Sequence, residues 1–191
     1  MALPTPTLHT SRLLLRPFNE CDANAILAIF NNPRVMRYWD GPAWTSPVQA
    51  ARFIAVCRRM EDEGSGVRMA VVRAEDSQLI GQCAIFRWNP TYRSAETGYC
   101  LDDAVWGQGF ATEALDGLLQ WAFDTMDLNR VQAALDTRNP ASARVLEKLG
   151  FLREGTMLED CIVNGEVSDS WVYGLLRRYR EPEARGSTSG A

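Results

Sequence analysis

The chain has 191 residues, 46% of them hydrophobic, which is enough apolar material for one sizeable core and fits one domain better than two. Its formal charge of −4 argues against a nucleic-acid partner, which wants a basic patch, and suits a cationic partner such as an amine. One histidine, His9, and five cysteines without a CxxC pair argue against a histidine base, a metal site and a disulfide framework.

Met1 to Thr10 lacks the basic-then-apolar pattern of a signal peptide, and no stretch is apolar for the length of a membrane span. The expected setting is cytoplasmic, with reduced thiols and no membrane partner. His9 falls in an expected flexible end. Ser11 to Phe18, with Leu13, Leu14 and Leu15 between arginines, reads as a first strand. Asn19 can cap a helix from about Glu20 that puts Ala23, Ile26, Leu27 and Phe30 on one face and ends at Pro33. Ser46-Pro47-Val48-Gln49 is a capping box with proline at the first helical position. Its helix turns Ala50, Phe53, Cys57 and Met60 inward and stops near Gly64.

Three strands follow: one with Val67, Met69 and Val71 alternating, one from Leu79 to Trp88, and one from Ala95 to Leu101. A long helix runs from about Gly109 to Met126 with the stripe Ala114, Leu115, Leu118, Leu119, Ala122 and Phe123. Val131 to Leu135 is a short buried strand. Asn139-Pro140 opens a helix that Gly150 terminates, and Asn164-Gly165 is a type I′ turn between two last strands. The order predicts one α/β (α+β) domain over residues 1–180. Its sheet is mixed and mostly antiparallel, with helices on both faces. The polar, Gly- and Ser-rich residues from Glu181 to Ala191 read as a disordered tail.

Two segments carry chemistry. Tyr99 to Ala114 runs a strand through Trp106-Gly107-Gln108-Gly109-Phe110-Ala111 directly into a helix. Glycines let backbone approach a ligand, and the unpaired N–H groups of a helix start suit a pyrophosphate; a plain strand-to-helix connection reads the same way. The turn has neither the GxGxxG spacing of a dinucleotide fold nor the Gly-Lys-Ser/Thr of a P-loop. The second segment, Asn139 to Phe151, reads by itself as a helix capped by Asn139 and closed by Gly150.

These segments, in this order, together with Thr10-Ser11-Arg12-Leu13-Leu14-Leu15-Arg16-Pro17 and Glu96-Thr97-Gly98-Tyr99, resemble the GNAT superfamily and, within it, the RimJ/RimL-type N-acetyltransferases. The resemblance spans Thr10 to Arg178. It implies a GNAT fold and acetyl-CoA as co-substrate, without a metal. The strand end at Tyr99, Cys100 and Leu101 would splay from its neighbour and bind pantetheine through its backbone. The turn of Trp106, Gly107, Gln108, Gly109, Phe110, Ala111 and Thr112 would hold the pyrophosphate. Asn139 would contact the pantetheine arm, and Ser142 would lie near the sulfur. Trp106 stands where the superfamily signature has Gln or Arg, so the backbone donors are expected to carry the phosphate contact.

Attack by an amine needs a proton acceptor, and the departing thiolate benefits from a donor. Glu96, bordering the cofactor strand, is the candidate base, or else an exposed strand carboxylate. Ser142 is the candidate donor, since the tyrosine many members use is missing between Asn139 and Gly150. The mechanism implied is direct transfer in a ternary complex. Cys100 invites an acyl-enzyme reading, but a free strand cysteine is more often a small core residue, and no histidine is at hand to activate it.

Tyr38, Trp39, Asp40 and Trp44 sit in the loop where the family forms a pocket wall, and Trp88, Tyr92, Trp171 and Tyr173 can add to it. Aromatic walls and an acid suit an amine; aromatic core or dimer contacts account for each residue equally. The acceptor suggested by the resemblance is a protein or peptide α-amine. Alternatives are a small amine (polyamine, antibiotic or amino-acid conjugate), a non-catalytic acyl-CoA sensor, or a nucleotide-binding module resting on the glycine turn. A homodimer is compatible with all of them.

Overall fold

Apolar side chains at alternate positions on both faces make the central strands, and helices cover each face in turn. The computed structural model describes residues 3–39 and 41–180. Asp40 and the segment from Glu181 to Ala191, expected above as a pocket residue and a disordered tail, lie outside the described residues. The strands are β1 (Leu8–His9), β2 (Leu13–Pro17), β3 (Val67–Arg73), β4 (Leu79–Asn89), β5 (Ser94–Leu101), β6 (Arg130–Asp136), β7 (Leu152–Val163) and β8 (Glu166–Leu176). The helices are α1 (Ala23–Asn31), α2 (Pro47–Glu63), α3 (Phe110–Thr125), α4 (Pro140–Lys148) and the single turn α5 (Arg177–Arg180). One eight-stranded sheet runs in the order β1-β2-β3-β4-β5-β6-β8-β7, and β5–β6 is its parallel pair.

Two apolar clusters flank the sheet. On one face Leu13, Leu15, Val67, Met69, Val71, Ile80 and Ile85 pack under α3 and α4, with Leu115, Leu118 and Leu119 fully buried. On the other, Ala70, Val72, Leu79 and Cys100 meet Ile26, Ile29 and Phe30 of α1 and Ala50, Ile54 and Cys57 of α2. The inward stripe of α2 is therefore Ala50, Ile54 and Cys57; Phe53 and Met60 are half-buried.

Local capping rules hold. The Ser46 hydroxyl accepts from the Val48 N–H, and Gln49 closes the box by accepting from the Ser46 N–H at 3.0 Å. At the end of α4 the Gly150 N–H donates to Glu147 O (3.0 Å) and the Phe151 N–H to Leu146 O (3.1 Å), the Schellman pattern that a left-handed glycine (φ 85°) permits. Asn164 and Gly165 both have positive φ, 54° and 84°, as a type I′ hairpin requires. Two expectations are corrected. The helix expected from Glu20 opens as a 3₁₀ turn, Glu20–Asp22, before α1. His9 is in a strand, paired with Leu14. The last strand of the sheet, β7, is exposed along Leu152–Asp160, and its pairing with β8 is broken at Arg153/Gly155 and at Met157/Cys161.

The Thr10-Ser11-Arg12 turn between β1 and β2 straps the start of α3. Glu113 accepts from the Thr10 hydroxyl (2.6 Å), the Ser11 hydroxyl (2.9 Å), the Arg12 N–H (2.7 Å) and Arg12 Nε (2.7 Å). Arg12 also donates to Gln108 O at 3.0 Å and lies 4.3 Å from the Phe110 ring centre. Partial burial pushes the Glu113 carboxyl up, but these donors outweigh it and hold its pKa below the usual carboxylate range. A depressed folded pKa means that the strap stabilises fully above the unfolded value and is lost as pH falls through the folded one. Glu113→Gln should cost about 2 kcal/mol at neutral pH. The difference in urea midpoint from the unsubstituted chain should shrink between about pH 5 and pH 3. An undiminished difference at the acid end would show that the carboxylate charge is not what holds the strap.

Candidate active site

The parallel pairing of β5 with β6 covers Ser94/Arg130, Ala95/Val131 and Glu96/Gln132, and then stops. β5 continues to Leu101 on β4, and β6 continues to Asp136 on β8, so the two strands part. The Asp102 N–H donates to Ile80 O at 2.9 Å. By the alternation of an antiparallel ladder, Cys100 and Gly98 then turn their backbone to β4, while Tyr99 and Leu101 turn theirs to the gap. Of the three residues expected to bind pantetheine through the backbone, Cys100 does not face the gap. Its side chain is buried on the α1–α2 side, and burial pushes the thiol up to about 12. It packs as a protonated core thiol, the small-core-residue reading of this cysteine.

Beyond Leu101 the chain makes a 3₁₀ turn, Asp103–Val105, and reaches the glycines. Trp106 Nε1 donates back to Leu101 O at 2.9 Å, so the indole is a strut of this turn. Gly107 (φ 76°) and Gly109 (φ 84°) occupy the left-handed region, and α3 begins at Phe110. The first intrahelical bond runs from the Glu113 N–H to Gly109 O, leaving the N–H groups of Phe110, Ala111 and Thr112 without helical acceptors. No side chain caps this helix, whereas Ser46 caps α2 and Asn139 caps α4. An uncapped, glycine-led helix start at the mouth of a gap between strands fits an anionic cofactor with a narrow arm.

Across the gap stands α4. Asn139 Oδ1 accepts from the Ser142 N–H at 3.1 Å, so this oxygen serves as the cap. Ser142 Oγ lies 2.8 Å from the Tyr99 hydroxyl. Burial pushes the Tyr99 phenol up to about 12, against a smaller opposing effect of the Ser142 bond, so the phenol keeps its proton at neutral pH. A tyrosine hydroxyl therefore reaches the start of α4 from β5, on a residue the sequence suggested only for its backbone. Asp136 fixes the loop before α4. Its carboxylate is almost completely buried and accepts from the Arg138 N–H (2.7 Å), Arg138 Nη2 (2.8 Å) and Ser168 Oγ (2.9 Å). Arg138 holds its pKa below the usual range despite burial. Nothing in the sequence around Asp136 distinguishes it from an ordinary turn aspartate. Glu96, the last paired residue before the gap, is ion-paired with Arg87 Nη1 at 3.0 Å.

Two clefts border this centre. One of about 380 Å³ lies between the start of α3 and the end of α4, lined by Thr112, Glu113, Lys148 and Arg180 among others. The other, about 260 Å³, lies between the Val35–Tyr38 turn and the β7–β8 hairpin, and is lined by Arg37, Tyr38, Arg138, Val163, Asn164 and Glu166. The expected acceptor aromatics divide between the faces. Trp44 stacks on Phe30 (4.4 Å between ring centres, 17°) and Trp39 meets the same ring edge-on, on the α1–α2 face. Trp88 and Trp171 pack on the opposite cluster, so they do not join that wall. Tyr92 is 76% exposed beyond β4, and Tyr173 is buried with its hydroxyl donating to Glu147. The described residues contain no group of acids, cysteines and histidine able to hold a metal, and no helix long and apolar enough to cross a membrane.

Residues 12–152 match the family model described as an acetyltransferase (GNAT) domain, and the chain belongs to that family. YdaF of Bacillus subtilis, named provisionally as a ribosomal N-acetyltransferase, is 35% identical over 92% of this chain and 95% of its own. The crystal structure of spermidine N-acetyltransferase from Vibrio cholerae, with CoA and spermine, superposes with a TM-score of 0.79 at 25% identity, covering 90% of this chain and all of that one. Mycobacterium smegmatis RimJ, with CoA-disulfide, shares the fold at a TM-score of 0.82 and 22% identity, over 89% of this chain and 84% of that one. The protein is an acetyl-CoA-dependent N-acetyltransferase.

The uncapped start of α3 makes one substitution informative. Gly109→Asp places a carboxylate beside the free N–H groups; its Cβ would lie 3.4 Å from the flexible end of Arg12, and the left-handed φ of 84° adds a backbone strain that aspartate tolerates better than most residues. The dissociation constant for acetyl-CoA should rise about tenfold or more while the fold survives. Calorimetric titration showing unchanged affinity in the folded variant would remove the turn from the cofactor site.

Proposed function

We propose that this protein moves the acetyl group of acetyl-CoA directly to a primary amine in a ternary complex, with a peptide or protein α-amine as acceptor. The parting of β5 and β6, with the Tyr99 and Ser142 hydroxyls on its α4 side, carries the reading. The backbone of Tyr99 and Leu101 takes the pantetheine arm. The N–H groups from Phe110 to Thr112, led by Gly107, Gln108 and Gly109, take the pyrophosphate. Asn139 borders the arm and holds Ser142 in place. Lys148, in the cleft that begins at Thr112, offers a cation to the nucleotide end.

Acetyl-CoA supplies a thioester carbonyl and a thiolate leaving group. Glu96 receives the proton that the amine loses, directly or through a water molecule. Tyr99 and Ser142 stand where negative charge grows on sulfur. Donors fixed in advance at such a position help because they need no reorganisation as the charge appears. Tyr38, Trp39 and Trp44 border the acceptor's approach. A peptide acceptor is supported by the ribosomal naming of YdaF. A polyamine, as in the Vibrio structure, is the alternative acceptor. Release of free thiol from acetyl-CoA on addition of peptides, and its absence with polyamines, tests this choice.

Two substitutions test the roles. Glu96→Gln should lower kcat about a hundredfold, with partial recovery at high pH where free amine is abundant; a wild-type rate across the pH range would take Glu96 out of the reaction. Ser142→Ala and Tyr99→Phe should each slow single-turnover transfer roughly ten- to a hundredfold with little change in acetyl-CoA affinity. The double variant should be no slower than the worse single one, because the two hydroxyls act through one shared hydrogen bond. Fully additive losses would show that they act separately.

A further inference from the structure

Helices α1 and α2 cover only half of their face of the sheet. Among the described residues, the apolar cluster beneath them takes nothing from β6, β7 or β8. The uncovered half carries an unusual row. Gly98 on β5 lies level with Ala134 on β6, each two positions past the Glu96/Gln132 pair. Ala134 stands opposite Val172 on β8, and Val172 stands opposite Gly155 on β7. One row across four strands is thus glycine, alanine, valine and glycine. Ala134 is exposed although its strand is interior, Val172 is half-buried, and Gly155 is exposed. Nothing beyond its own chain neighbours comes within 4 Å of where a Cβ on Gly155 would stand.

Larger groups flank this row on both sides. On one, Arg130 Nη1 and Glu154 pair at 2.7 Å directly over Gly174. On the other, Arg138 bridges Asp136 and Glu166, and Asn164 Nδ2 donates to Arg37 O at 2.9 Å, which draws the Val35–Tyr38 turn against the β7–β8 hairpin. The small residues are therefore the floor of a lane with raised banks. Its inner end is the parting of β5 from β6. There Phe86 stands 3.5 Å from where a Cβ on Gly98 would be, and closes the lane toward β4. Its outer end is the edge of the sheet, where Leu152, opposite Gly174, and Met157, opposite Ser170, are exposed on either side of Gly155. Ala134 and Gly155 are two strand spacings apart, roughly 10 Å, the reach of about three extended residues.

We infer that this lane holds the chain behind the acceptor's amine: the α-amine of a peptide lies over Gly98 beside Glu96, and its first residues, about four, run extended over Ala134 and Val172 to Gly155. The inference rests on the acetyl-transfer reading and deepens it by giving the acceptor a length. A floor of hydrogens and methyl groups lets a backbone lie close to the sheet. Each bank pairs its own charges, Arg130 with Glu154 and Arg138 with Glu166, which suits the neutral amides of a peptide. Leu152 and Met157 then receive an apolar side chain at the far end.

Acceptors of graded length test the lane. All begin with the same residue, end in a C-terminal amide and are followed by free-thiol release. From the amino-acid amide to the tetrapeptide amide, kcat/KM should climb about tenfold or more, and it should stay level to the hexapeptide amide. Val172→Trp, in mid-lane, should remove the whole gain through KM, and Gly155→Trp only its outer part. Both should leave acetyl-CoA affinity and turnover of the amino-acid amide within about twofold. Gly155 has open space around it and no left-handed φ, so Gly155→Trp keeps the fold and decides the question even if Val172→Trp does not fold. Equal use of all lengths, a gain that survives the tryptophan in a folded variant, or faster transfer to spermidine than to the tetrapeptide amide overturns the lane alone. Failure of every amine, short or long, to release thiol overturns the transfer reading together with it.

Discussion

Backbone groups of parted strands have to find partners, and much of this structure is organised around that requirement at the edge between β5 and β6. The two strands share only the pairs from Ser94/Arg130 to Glu96/Gln132. Past them, Leu101 O is taken by the Trp106 indole, Tyr99 reaches Ser142 with its side chain, and the end of β6 is held by the Asp136–Arg138–Ser168 cluster. Each side of the gap is held by contacts of its own, with the Tyr99–Ser142 bond bridging them, and the opening does not close by strand pairing. α3 and α4 both begin at it.

The treatment of the helix starts divides structural from ligand-facing roles. α2 and α4 satisfy their first N–H groups with Ser46 and Asn139. α3 keeps its own free, behind two glycines in left-handed conformation. The positive end of α3 is not stabilised by a cap but held in place by the strap from Thr10, Ser11 and Arg12 to Glu113. The strap lies on the side chain of Glu113, one turn into the helix, so it anchors α3 without consuming the donors at its tip.

Features governed by local rules were legible in the sequence: the Ser46 box, the Gly64 and Gly150 stops, the Asn164-Gly165 turn and the uncapped glycine turn. Features that depend on which face a side chain takes were not. Counting by twos along β4 puts Trp88 on the same face as Ala84 and Phe86. The irregularity between Phe86 and Asn89, with Arg87 at φ 51°, inserts an extra step and sends Trp88 to the α3 side. No residue type announces such a bulge. Tyr99 was visible as a strand residue, but its meeting with Ser142 spans 43 positions and needs the fold to bring it about.

The outer edge of β7 has a consequence for solubility. A long strand at the end of a sheet is a template for pairing with another chain. Leu158 is 75% exposed and Ile162 61%, so apolar side chains that would favour such pairing are present. The breaks at Arg153/Gly155 and Met157/Cys161, with Glu159 at φ 52°, bend the strand, and Glu159 and Asp160 put charge at its middle. Bent and charged, the edge cannot zip flat against a second sheet. Without Glu159 and Asp160 the strand would run straight with a continuous apolar edge, the form that favours intermolecular β-structure.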